Sequence, residues 1–64
     1  MKADFERILT GMSMAQVEGI LGPPEESHAT RFGADMVTWA YRDNGQRLFI
    51  WFDGTGCVKL KSGT

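Results

Sequence analysis

The sequence predicts an α+β domain, with two short N-terminal helices packed on one face of a three- or four-stranded antiparallel β-meander. Three observations predict it. Apolar residues recur at helical spacing as far as Leu21, large side chains alternate from Val37 onward, and Pro23-Pro24 separates the two patterns.

In the first helix Phe5, Ile8, Leu9 and Met12 fall at i, i+3, i+4 and i+7, with Asp4, Glu6 and Arg7 on the other side. Thr10-Gly11 ends this element, with Gly11 as a left-handed cap. Ser13-Met14-Ala15-Gln16 then has the form of a capping box, and Met14, Val17, Ile20 and Leu21 supply the second apolar stripe. Gly22 stops this helix and the prolines prevent its continuation. Helices this short are unstable alone, so both stripes require a partner surface.

That surface is the meander. Asn44-Gly45 is a strong two-residue hairpin signal, because both central residues of a type I′ turn need positive φ. Centring the turn there pairs Arg42 with Arg47, Tyr41 with Leu48, Ala40 with Phe49, Trp39 with Ile50, Thr38 with Trp51 and Val37 with Phe52. The bulky set Val37, Trp39, Tyr41, Leu48, Ile50 and Phe52 then shares one face, and a one-residue slip would destroy the match. A three-residue loop, Gly54 to Gly56, with Gly56 left-handed, is expected to follow. It pairs Phe52 with Val58, Trp51 with Lys59, Ile50 with Leu60 and Phe49 with Lys61, which adds Val58 and Leu60 to the core face. A further strand is expected near Ser27–Phe32, turning through Ala34-Asp35. If Phe32 faces Val37, Phe32 enters the core and Arg31 points outward.

At 64 residues the chain has room for a single domain, assigned to residues 1–64. Its 42% hydrophobic and 23% charged residues exclude wholesale disorder, and its net charge of -1 implies no global attraction to nucleic acid or membrane. No apolar run approaches the ~20 residues of a membrane span. The early acids Asp4 and Glu6 do not suit a signal peptide, so the chain as it stands reads as cytoplasmic. Cys57 is the lone cysteine, which excludes an intrachain disulfide and a cysteine metal cage.

The pattern Phe5-x-x-Ile8-x-x-Gly11-Met12-Ser13-x-x-Gln16-Val17-x-x-x-Leu21-Gly22-x-Pro24, followed by Trp39-x-Tyr41 and Phe52-Asp53-x-x-Gly56-x-Val58, resembles the SmpA/OmlA (BamE-like) domain family. A related helix-helix-meander fold occurs in β-lactamase inhibitory proteins. The resemblance covers nearly the whole chain and implies a bacterial, non-enzymatic module that binds protein or lipid partners. Envelope members of the family carry a leader and a lipid-bearing cysteine near the start. A fragment of such a lipoprotein would be periplasmic or outer-membrane-associated.

No catalytic, cofactor or metal site is expected. His28 is the only histidine, and a lone histidine before a strand reads as structural or solvated. Cys57 reads as a half-buried strand residue, and Glu25-Glu26 as a solvated pair, since acid/base work needs convergent groups. The Asp43-Asn44-Gly45 and Asp53-Gly54-Thr55-Gly56 segments have neither calcium-loop spacing nor a phosphate-loop lysine. Met12 and Met14 sit at core periods.

The sheet's other face is less bland. The expected register puts Thr38, Ala40, Arg42, Arg47, Phe49, Trp51, Lys59 and Lys61 there, with Met36 near one end: two large aromatics, four basic residues and no acid. One reading is that Lys59 and Lys61 lay their methylene stems over the rings and guard the sheet. The functional reading makes Phe49, Trp51, Arg42, Arg47, Lys59 and Lys61 a partner-binding surface, for a protein partner or a homodimer. The alternative is an anionic ligand, either anionic lipid or single-stranded nucleic acid stacking on the aromatics. No small-molecule substrate is expected.

Overall fold

The computed structural model describes the backbone of residues 2–32 and 34–63, and side chains over 3–29 and 36–63. It has two short helices, α1 (Lys2–Glu6) and α2 (Met14–Leu21), and four strands, β1 (Glu26–Phe32), β2 (Ala34–Asp43), β3 (Gln46–Phe52) and β4 (Val58–Gly63). The strands form one antiparallel sheet in the order β1-β2-β3-β4, so the class is α+β.

The first helix is shorter than its apolar spacing suggests. After Glu6 the chain tightens, with the amides of Arg7 and Ile8 donating to the carbonyls of Asp4 and Phe5 three residues back. This tightening breaks the 3.6-residue period, and Leu9, expected in the stripe, is exposed. Gly11 has φ +95°, so the two helices are separate elements. The segment between them is held by β4: the Gly11 amide donates to the Val58 carbonyl at 2.8 Å, and the Val58 amide donates to that of Met12 at 2.7 Å.

The capping box forms as expected. The Gln16 amide donates to Ser13 Oγ at 3.2 Å, and the Ser13 amide donates to Gln16 Oε1 at 2.9 Å. Gly22 ends α2 with φ +82°, and its carbonyl accepts the Tyr41 hydroxyl at 2.9 Å. This bond fixes the exit of α2 to the middle of the sheet. Burial, reinforced by the Glu18 charge, pushes the Tyr41 hydroxyl up to about 12.

The β2–β3 hairpin has the expected register throughout, from Asp43 opposite Gln46 to Val37 opposite Phe52. Asn44 and Gly45 both adopt positive φ, +52° and +82°, as the turn requires. The Asp53–Cys57 turn also forms. Gly56 has φ +85°, and the Asp53 amide donates to the Cys57 carbonyl at 2.9 Å. The Asp53 carboxylate accepts from the Thr55 side chain and from the amides of Cys57 and Thr55, which holds its pKa below the usual value.

Phe5, Ile8, Val17, Trp39, Tyr41, Leu48, Ile50, Phe52 and Val58 form one buried cluster, with Met12, Met14, Ile20, Leu21 and Val37 packed against it. Trp39 meets Phe52 edge-on, ring centroids 4.7 Å apart. Burying each large apolar side chain contributes about 1.5–3 kcal/mol against the entropy of ordering the chain.

Two pairings differ from expectation. Beyond Phe52–Val58 the β3–β4 ladder shifts by one, so Trp51 faces Leu60, Ile50 faces Lys61, Phe49 faces Ser62 and Leu48 faces Gly63. Lys59 is the extra residue of a β-bulge. Leu60, expected in the core, is 47% exposed. The packing at Gly63 gives a physical reason for the shift. A Cβ there would lie 2.6 Å from Leu48 Cδ2 and 3.2 Å from Phe5 Cε2, so a glycine is what fits opposite Leu48. The unshifted ladder would set Ser62 opposite Leu48 instead. In the first hairpin Phe32 pairs with Ala34, and Val37 pairs with Ala29 rather than Phe32. Ala34 and Asp35, expected as a turn, belong to β2. The side-chain directions expected for Arg31 and Phe32 lie outside the described residues.

Candidate functional site

The outer face is assembled by three ladders. Glu26 and His28 of β1 stand opposite Ala40 and Thr38 of β2, which stand opposite Phe49 and Trp51 of β3. Ser62 and Leu60 of β4 complete the same two rows. Arg42 and Arg47 face each other at the end nearest the Asn44-Gly45 turn. Five of the six residues expected at a binding surface are therefore on or beside this face: Arg42, Arg47, Phe49 and Trp51 in the ladder, and Lys59 exposed at the bulge.

Lys61 is not among them. The bulge turns it to the side of Ile50, where its ammonium donates to the Phe5 carbonyl at 2.8 Å and lies 5.0 Å from the Phe5 ring centroid. A cation on the last carbonyls of a helix is favourable, so Lys61 clasps α1 to β4 instead of facing a partner. Ser62 takes its place opposite Phe49, and Leu60 stands opposite Trp51 where Lys59 was expected.

The two aromatics are half-buried, their centroids 5.9 Å apart and the rings tilted by 35°. Arg47 covers one of them, its guanidinium 5.3 Å from the Phe49 centroid, whereas Lys61, expected to lay its stem over the rings, is engaged with Phe5 instead. The face also carries an acid, contrary to expectation. Glu26 Oε2 accepts from Arg47 Nη2 at 2.9 Å, and Glu26 Oε1 lies 3.8 Å from His28 Nε2. The Arg47–Glu26 pair spans β2. The pair runs diagonally, because Glu26 shares its row with Ala40 and Phe49 whereas Arg47 stands one row on, opposite Arg42. Ala40 is 4% exposed although it is outside the main core cluster. Its small side chain lets the guanidinium reach across.

Glu26 was missed because its side of the sheet depends on the β1 register, which the irregular alternation of Glu26–Phe32 does not specify. Leu60 and Lys61 were expected on the opposite sides of the sheet because a bulge leaves no mark in hydrophobic periodicity. Cys57 is half-buried, as its place beside the turn suggests, and its segment pairs with Ser13. Among the described residues, no group of three or more His, Cys, Asp or Glu is placed to hold a metal ion, and no helix is long and apolar enough to cross a membrane. Comparison of the chain with protein families, curated proteins and solved structures finds no match.

Proposed function

We propose that residues 1–64 form a single non-enzymatic binding module, of the kind the SmpA/OmlA resemblance implies, that docks a protein partner through the outer sheet face. The helices are taken to cover the opposite face and to leave this one available. The observation that carries the reading is the strip Phe49, Trp51 and Leu60, which places partly exposed apolar side chains side by side with Arg42, Arg47 and Lys59 around them. Aromatic side chains ringed by long cationic ones match the anatomy of an interface, in which the rings anchor and the charges steer. Self-association would use the same strip.

The experiment is sedimentation and amide chemical-shift mapping of the parent and of a Phe49→Ser, Trp51→Ser double variant. The double variant is expected to keep its fold and lose partner binding or dimerisation, while Lys59→Glu chiefly slows association. Equal binding by the double variant, with shifts clustered on α1 and α2, would overturn the reading. Anionic vesicles and single-stranded oligonucleotides test the anionic-ligand alternative, whose binding should fall steeply with salt.

A further inference from the structure

Arg42 and Arg47 stand directly opposite each other, an arrangement of like charges that weakens a sheet. Arg47 is drawn across β2 to the Glu26 carboxylate, and it stacks on Phe49 in doing so. Both partners of this ion pair remain about half exposed, with side-chain accessibilities of 50% and 47%. An exposed pair of this kind is weak, so a competing carboxylate can displace it. A guanidinium beside an aromatic ring and a second arginine offers a planar fork for such a group.

We propose that Glu26 is an internal placeholder, and that the partner is an acidic protein segment whose carboxylate takes Glu26's position on Arg47 while its apolar side chains cover Phe49, Trp51 and Leu60. The inference rests on the docking reading above and specifies the partner's chemistry. Charge complementarity selects this occupant. Arg42, Arg47 and Lys59 surround the apolar strip, and Glu26 is the acid that the described ladders add to it. A second copy of the chain would bring two sets of these cations together. An acidic segment would neutralise them and leave Glu26 free to turn toward His28, already 3.8 Å away.

The test uses two synthetic peptides, one with glutamates flanking a leucine-phenylalanine pair and one with glutamines in their place. Each is titrated at low ionic strength into the full chain and followed by amide shifts. The acidic peptide should bind about tenfold more tightly than its glutamine twin. Glu26→Gln should tighten the acidic peptide about threefold by removing the competitor, and Arg42→Gln should weaken it about fivefold. If both peptides bind equally, with shifts on Phe49, Trp51 and Leu60 and no effect of Glu26→Gln, the placeholder is overturned while the docking surface stands. If neither peptide binds, or the shifts lie on the helices, both are overturned. Preferential binding of phosphatidylglycerol vesicles or an oligothymidylate would assign the arginines to a phosphate ligand and overturn the acidic segment.

Discussion

The two hairpins that share β3 behave differently. On one side, β2–β3 is regular from turn to end, and its core side chains alternate without interruption. On the other, β3–β4 starts in the expected register and slips by one residue at Lys59. Both have turns of strong local signature, so turn chemistry alone does not explain the difference. The β2–β3 pair has bulky residues at every core position of both strands, and a slip there would expose all of them. The last strand has one buried apolar residue, Val58, and beyond it neighbouring packing decides. There the glycine opposite Leu48 and the clasp of Lys61 on Phe5 outweigh what burying Leu60 would contribute.

The largest expected effect tests the regular hairpin. Trp39→Ala should cost about 3–5 kcal/mol, enough to unfold a domain of this size, because it removes the largest side chain of the buried cluster and its edge-on contact with Phe52. Trp51→Ala, on the outer face of the same ladder, should cost far less. Thermal melts of both variants check the difference, and a greater loss for Trp51→Ala would mean that the two faces are exchanged.

A smaller effect tests the irregular side. Lys61→Met keeps the unbranched stem as far as the ε position but removes the ammonium, and should cost about 1 kcal/mol through the lost bond to the Phe5 carbonyl. Faster amide exchange confined to α1 would locate the loss at the clasp. An unchanged melt with unchanged exchange would show that the clasp does not hold α1.

The subtlest test is in pH and returns to the regular hairpin. The Tyr41 hydroxyl titrates higher in the folded chain than its ordinary value of 10.0, so the stability tied to its protonated form is fully present below pH 10. It should decline as the pH rises toward about 12, where the folded form also loses its proton. Denaturant melts across this range should show the decline in the parent. Tyr41→Phe should flatten it, at the cost of the bond to the Gly22 carbonyl at neutral pH.

The fold was legible where a local rule and a burial pattern agreed. Ser13 with Gln16 marked the start of α2, and Asn44-Gly45 together with the Val37–Tyr41 and Leu48–Phe52 alternations specified the central hairpin residue by residue. Legibility failed where the backbone left its regular period or a contact between distant segments made the choice. Leu9 has the right spacing for the first helix, but the chain tightens after Glu6 and the period is lost. Of the surface, Arg42, Arg47, Phe49 and Trp51 follow from the central register alone. Glu26 and Leu60 enter through β1 pairing and a bulge, neither of which leaves a hydrophobic trace.

The strip from Gly11 to Ser13 lies along the outer side of β4 at Cys57 and Val58, joining segments far apart in the chain. The hairpins of the meander need only close short loops, whereas this junction must wait for a long one. The sheet is thus expected to assemble before the helical half docks, leaving the start of β4 for a time as a bare edge with unmatched amides and carbonyls. A bare edge is where one strand recruits another molecule's strand. The few backbone bonds made by Gly11 and Met12 would then end the interval in which the nascent sheet is most open to misassociation.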